Sequence, residues 1–195
     1  MEHLKLEVPS IERKEEAIDY IQEHWNYHSH VNGSGSLHKY VDRYEEWLQK
    51  LESDYAQLPS ESKVPARTYF LVREEDNKIV GMINIRLALN DKLKKSGGHI
   101  GYGIRPTERN KGYNKINLYL GLKICQQYGL EEVLLDADIE NVASWKTMEA
   151  LGGKRVEEYY DEEEHRKCVK YKISVDKSIQ SYHEIYEKQI MTQKR

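Results

Sequence analysis

The residues whose types and spacing most clearly suggest a chemical role form a short basic turn. It reads RNKGYN, from Arg109 to Asn114, and it lies between the strand-like run GHIGYGIRP and the helix-like run KINLYLGLKICQQYG. The first amides of a helix have no intrahelical partner and lie at the positive end of the helix dipole. Arg109 and Lys111 add positive charge, and Gly112 has no side chain to keep an anion away from the backbone. The turn therefore predicts an anion site of the kind that binds phosphate.

A second block, EVLLDADIENVASWKTMEALGG, follows further along the chain. Its first half alternates apolar residues with Asp136 and Asp138, so both carboxylates are expected on the same face of a strand. Its second half is typical of a helix that begins after Asn141, contains Ser144 and ends at Gly152. An asparagine in front of a helix is also a common N-cap, and the two interpretations of Asn141 are left open.

The order of these elements resembles a known family. The turn matches neither a Walker loop nor a dinucleotide fingerprint. A strand, an R-x-x-G-x-[GA]-like turn, a helix, a second strand and an N-x-x-[AS] helix that ends in a glycine pair resemble the GCN5-related N-acetyltransferases (GNAT), over roughly residues 66–175.

That resemblance implies acetyl-CoA as co-substrate, with its diphosphate held by the amides of the turn and its pantetheine arm along the preceding strand. It implies the following cofactor-binding residues: Gly103, Ile104, Arg109, Asn110, Lys111, Gly112, Tyr113, Asn114, Asn141 and Ser144. Backbone N–H groups near Gly103 and Ile104 would polarise the thioester carbonyl. Gly101 and Gly103 predict a β-bulge that makes room beside the turn.

The sequence departs from the family pattern at two positions. Asn114 replaces the usual small residue at the end of the turn motif, although its backbone N–H remains available. Met148 stands where the family often has the tyrosine that protonates the departing thiolate, and a thioether has no proton to donate.

Acetyl transfer to an amine also needs a proton acceptor, because an ammonium group has no lone pair. The predicted catalytic residues are Asp138 and His99, with Asp136 as a further strand-face candidate. His24 and His28 have a spacing that can bind zinc, but no third ligand follows at motif spacing. A packing or solvated role is expected for these histidines, and no metal site is predicted.

The pattern of elements predicts an α/β fold of the GNAT type. We expect a mixed, mostly antiparallel central sheet with a parallel splayed pair at its centre and flanking helices. One domain over residues 1–195 is expected: N-terminal helices and a lid (1–65), a cofactor-binding core (66–175) and a C-terminal helix (176–195). By the resemblance, the loop from Ser29 to Ser36 is a candidate specificity element over the acceptor.

Composition limits the function classes. A net charge of −3 over 195 residues provides no global cationic field for nucleic acid or membranes. Cys125 and Cys168 have no metal or disulfide spacing, and the absence of a signal-peptide pattern favours a cytoplasmic protein. The expected partners are acetyl-CoA and an unidentified amine, with a homodimer left open. The alternative function is an acyl-CoA-binding sensor that does not turn over.

Overall fold

The computed structural model describes residues 2–190. Its strands are β1 (Leu4–Glu7), β2 (Ala66–Arg73), β3 (Lys78–Arg86), β4 (Ile100–Ile104), β5 (Glu132–Asp138), β6 (Lys154–Asp161) and β7 (Arg166–Ser174). Its α-helices are α1 (Lys14–Asn26), α2 (Tyr44–Ala56), α3 (Asp91–Lys95), α4 (Tyr113–Gln127), α5 (Val142–Glu149) and α6 (Val175–Tyr186).

The strands form two antiparallel sheets. Their orders are β1-β2-β3-β4 and β5-β7-β6. β4 and β5 meet only near the start of β4, where the N–H of His99 donates to the carbonyl of Leu134 at 2.7 Å and an isolated bridge joins Gly98 to Leu135. Within residues 2–190 no ladder forms between these two strands. The predicted α/β fold with antiparallel sheets and flanking helices is confirmed, and the central pair is splayed.

The core lies on both faces of the first sheet. Helices α1 and α2 cover one face, where Tyr20, Ile21 and Trp47 pack on Phe70 and Met82. Helix α4 covers the other face, and its remaining sides pack on α5 and α6. Because α4 is sandwiched in this way, residues on most of its circumference are buried, as its nearly uniform apolar sequence predicted.

Three local elements differ from the sequence prediction. β1 was not predicted, because four residues give too little alternation; its partner is β2, in a ladder that begins at Leu4 and Arg73. Of the predicted N-terminal helices, the second is divided into a 3₁₀ turn at Leu37–Lys39 and α2, since the backbone leaves the helical conformation at Tyr40 (φ −131°, ψ 18°) and Arg43 (φ −140°, ψ 49°). The charged loop before β4 contains α3, which the Asn90 side chain caps by accepting from the N–H of Leu93.

The predicted bulge at Gly101 and Gly103 was wrong. The ladder between β3 and β4 is regular from Ile85–Ile100 to Gly81–Ile104. Register shifts occur instead in the β2–β3 and β6–β7 ladders. The glycines of β4 serve a different contact, described below.

The end of the chain is only partly described. Helix α6 ends at Tyr186, and residues 191–195 of the predicted 176–195 helix lie outside the described residues. No helix within residues 2–190 combines the length and the apolar character needed to cross a bilayer.

Candidate active site

The predicted anion turn leads directly into α4. Asn110 and Gly112 have left-handed backbones, with φ of 64° and 82°, and Gly112 is the residue before the first helical position. In the described chain the backbone N–H groups of residues 110–114 donate no hydrogen bond to another protein atom, and the Lys115 N–H is the first to do so, to the Gly112 carbonyl. Five consecutive amides at a helix N-terminus are therefore available to an anion.

A buried carboxylate holds the base of this turn. Glu108 accepts from Arg73 (2.7 Å), Lys78 (3.0 Å) and Lys111 (2.7 Å). Burial by itself would raise the pKa of Glu108, but these hydrogen bonds outweigh it and lower the pKa to about 2. Lys111 was predicted to add charge to the anion site, but its ammonium group pairs with Glu108, which offsets part of that charge.

The Glu108 cluster predicts acid-sensitive folding. A carboxyl group whose pKa is lower in the folded chain stabilises the fold above its unfolded pKa of about 4.3, and this stability is lost as the pH falls toward 2. We expect Glu108 to contribute about 2 kcal/mol to the free energy of unfolding at pH 6. The free energies of unfolding of the wild type and of Glu108→Gln, measured by urea denaturation, should differ most at pH 6 and converge only near pH 2. A constant difference over this range would contradict the assignment.

Arg109 and Asn114 join the turn to its surroundings. The Arg109 guanidinium donates to the carbonyl of Ile104 (3.3 Å) and to Oγ of Ser29 (2.6 Å), so it links the end of β4 to the loop after α1. The Asn114 side chain donates to Oγ1 of Thr147 (3.4 Å) on α5, and its buried Oδ1 has no partner within the described residues.

The phase of the β3–β4 ladder decides which amides of β4 are free. Arg86 N–H donates to His99 O at 2.7 Å and Arg105 N–H donates to Val80 O at 2.9 Å. Because hydrogen-bonded pairs alternate in an antiparallel ladder, Gly101 and Gly103 direct their N–H groups at β3. The N–H groups of Tyr102 and Ile104 point into the gap toward β5. The N–H of Ile104 is thus available for the predicted contact with a thioester carbonyl, but the N–H of Gly103 is not. The N–H of Tyr102 is also available, and the sequence analysis did not identify it.

The β4 glycines support the loop between α1 and α2. We call residues 29–36 the lid. A Cβ placed on Gly33 would lie 2.7 Å from Met82 O and from Tyr102 Cα, and one on Gly103 would lie 2.9 Å from Asn32 O. The backbones of the lid and of β4 are therefore in direct contact, which any side chain at these positions would prevent.

His99 lies at the closed end of the gap, where β4 and β5 meet. Its Nδ1 accepts from the N–H of Leu134 at 3.0 Å, so the neutral ring carries its proton on Nε2 and has no free lone pair. Burial, together with the charge of Arg86, lowers the pKa of His99 to about 4. The geometry favours a structural role over the predicted catalytic one.

The two carboxylates of β5 share a face, as predicted, but differ in environment. Asp138 accepts from the Glu140 N–H at 2.8 Å, and its other oxygen lies 3.9 Å from Arg166. Asp136 accepts from the Gly97 N–H and the Tyr159 hydroxyl, both at 2.7 Å, while its buried Oδ1 has no partner in the described chain. Burial raises the pKa of Asp136.

Helix α5 begins with the expected asparagine cap. The Asn141 side chain accepts from the N–H of Ser144 at 3.2 Å, which supports the capping interpretation. The Tyr102 hydroxyl reaches from β4 to the carbonyl (3.1 Å) and Oγ (3.2 Å) of Ser144. Met148 is buried, with 1% of its surface exposed.

Comparisons with known proteins agree with this architecture. The model of the acetyltransferase (GNAT) family matches residues 18–152. No curated protein matches the sequence.

Three solved structures have a similar fold at low sequence identity. The ribosomal-protein-S5-alanine acetyltransferase from Vibrio fischeri has 13% identity and a TM-score of 0.66 over 90% of this chain and 95% of its own. RimJ from Mycobacterium smegmatis, in complex with CoA-disulfide, has 13% identity and a TM-score of 0.68 over 92% of this chain and 89% of its own. A chimera of the Vibrio cholerae spermidine N-acetyltransferase SpeG and hSSAT has 14% identity and a TM-score of 0.64 over 91% of this chain and 98% of its own.

Proposed function

The chain belongs to the acetyltransferase (GNAT) family, and we propose that it transfers the acetyl group of acetyl-CoA to a primary amine by direct attack in a ternary complex. The acceptor is a small molecule, an amino acid or a peptide. The observation that supports this function most strongly is the row of unpaired amides from residue 110 to residue 114, at the head of α4 and beside the open end of the β4–β5 gap.

The chain fits the two ends of the coenzyme. The amides of the turn are suited to the diphosphate, and Gly112 leaves the backbone accessible, with nothing within 4 Å of its missing Cβ. The N–H groups of Tyr102 and Ile104 are suited to the thioester carbonyl, because they face the gap and lack a strand partner there.

The reaction forms a C–N bond between the amine and the acetyl carbon and breaks the C–S bond, and the electron pair of that bond passes to sulfur. The amine must lose a proton and the thiolate must gain one. Among the predicted bases, Asp138 retains a carboxylate oxygen that is not hydrogen-bonded, whereas the ring lone pair of neutral His99 already accepts from the N–H of Leu134. Buried Met148 cannot supply the proton that the thiolate needs, so another side chain or water does.

The activity can be tested with the purified chain. We expect acetyl-CoA to release free thiol when a primary amine is present, with a panel that includes spermidine, free amino acids and a peptide with N-terminal alanine. Calorimetry with CoA alone tests the coenzyme site independently. Saturable CoA binding with no thiol release for any amine would support the sensor alternative, and no CoA binding at millimolar concentration would contradict the proposal.

The proposed setting is the cytoplasm. Cys125 and Cys168 are both buried free thiols, which is the usual state of cysteine in a reducing compartment.

A further inference from the structure

The inner face of α1 holds two buried polar groups without partners. Tyr20 and His24, one helical turn apart, are both 0% exposed, and their ring centroids are 4.4 Å apart. Within the described residues the Tyr20 hydroxyl and His24 Nε2 form no hydrogen bond. We call these residues the Tyr20–His24 pair. Leaving buried polar atoms unpaired costs stability, so two together on one helix face require an explanation.

The backbone carbonyl of Tyr20 defines the tautomer of neutral His24. Its Nδ1 lies 2.9 Å from the carbonyl oxygen of Tyr20, and a carbonyl can only accept. Nδ1 therefore carries the hydrogen, and Nε2 of the neutral ring is a free lone pair. His24 is thus the reverse of His99, whose Nδ1 lone pair is already engaged.

The groups around His24 keep it neutral near pH 7. Burial is the main cause of its lowered pKa, and the positive charges of Arg109 and Arg105 act in the same direction. The carboxylate of Glu23 and the carbonyl of Tyr20 oppose this shift but do not reverse it. A neutral imidazole with an available lone pair is the form that can accept a proton.

The pair faces the end of β4 beneath the lid. The Tyr20 hydroxyl would lie 3.3 Å from a Cβ on Gly103, the residue between the two amides that point into the gap. The carbonyl of Asn32 lies against the same glycine, and Arg109 joins Ile104 to Ser29 beside it. The Tyr20 hydroxyl therefore lies beside the β4 residues with free amides and near the Arg109 contacts, and the His24 ring packs against the Tyr20 ring next to them.

We propose that the Tyr20–His24 pair binds the amino group of the acceptor and that His24 Nε2 receives its proton during acetyl transfer. The inference rests on the proposed function. The amine nitrogen bonds to the acetyl carbon, the C–S pair passes to sulfur, and one proton moves from nitrogen to Nε2. A proton returned to the thiolate yields free CoA and regenerates the neutral ring. Tyr20 is a substrate-binding residue, because its hydroxyl hydrogen-bonds the amine.

The pH dependence of kcat/KM tests the role of His24. A primary amine must itself lose a proton, so log kcat/KM rises with pH with a slope of about one. Below the pKa of His24, which lies under the ordinary histidine value of about 6.5, protonation of His24 steepens this slope to about two. We expect His24→Gln to lower kcat/KM roughly 100-fold and to remove the steepening, while the Kd for CoA stays within about twofold.

Two further variants separate chemistry from folding. Tyr20→Phe removes only the unpaired hydroxyl, so it should keep or raise Tm yet lower kcat/KM roughly tenfold. His38→Gln is the matched control, because His38 is a half-buried histidine next to the lid whose Nδ1 also has no partner in the described chain. We expect its kcat/KM and its pH slope to match the wild type.

Each adverse result has a separate meaning. The inference is overturned if His24→Gln folds and keeps both the wild-type kcat/KM and the slope of about two at low pH. It is also overturned if Tyr20→Phe loses activity only in proportion to stability. Should His24→Gln fail to fold, the Tyr20→Phe result decides. A wild type that releases no thiol with any amine of the panel overturns the proposed function, and this inference with it.

Discussion

Gly112→Ala is expected to weaken the binding of CoA by roughly 10- to 100-fold, as measured by calorimetry. Gly112 has a φ of 82°, and a methyl group there would meet nothing of the protein within 4 Å. It would instead occupy the space through which a phosphate approaches the amides of residues 110–114. The loss of one charge-assisted hydrogen bond is worth about 1.5–3 kcal/mol, which corresponds to that change in Kd.

The same helix provides a matched control. Gly129 follows the other end of α4, with a φ of 74° and open space around its missing Cβ. Gly129→Ala should therefore cause the same backbone strain, about 1–2 kcal/mol in the free energy of unfolding, without changing the Kd for CoA. If the two variants bind CoA equally well, the turn is not the diphosphate site.

Gly33→Ala is expected to displace the lid and to lower kcat/KM for the amine roughly 100-fold. The added methyl group would lie 2.7 Å from Met82 O and Tyr102 Cα and 2.8 Å from Gly101 O, at a φ of 73°. These are backbone atoms of two paired strands, so they cannot move aside. We also expect a loss of about 3 kcal/mol in the free energy of unfolding, from overpacking and strain together. Urea denaturation and steady-state kinetics measure the two effects.

Gly35→Ala is the comparison for this variant. Gly35 also has a positive φ, of 56°, but its Cβ would meet side-chain atoms of Thr68 and Leu51 that can rotate away. We expect a smaller loss of stability and a rate within about tenfold of the wild type. The CoA affinity of both lid variants should stay near that of the wild type. A Gly33→Ala protein with normal kinetics would show that the lid contact has no part in the reaction.

The local pattern around the turn was sufficient to predict its geometry. A strand, a glycine in a basic segment and an amphipathic or apolar helix are short-range features, and the structure places Gly112 before α4 with its neighbouring amides unpaired. The alternation in β5 likewise placed Asp136 and Asp138 on one face. Both predictions depend only on backbone periodicity, which residues close in sequence determine.

Predictions about individual partners were less successful. The sequence predicts a bulge at Gly101 and Gly103, but the ladder there is regular, and Gly103 instead leaves room for the lid, a segment distant in sequence. Lys111 was expected to attract the anion, yet it also pairs with buried Glu108. Spacing alone made His99 a plausible base, and only the N–H of Leu134 on the neighbouring strand shows that its lone pair is engaged.

The sequence by itself determined the order of the strands and helices around the turn, the family and the turn that is suited to a diphosphate, because these depend on periodicity and on residues that are adjacent in the chain. Only the tertiary structure decided which amides of β4 are free, which histidine keeps a lone pair and where the lid rests. Each of these depends on a hydrogen bond or a steric contact between segments that are far apart in sequence, and no local pattern encodes such a partner.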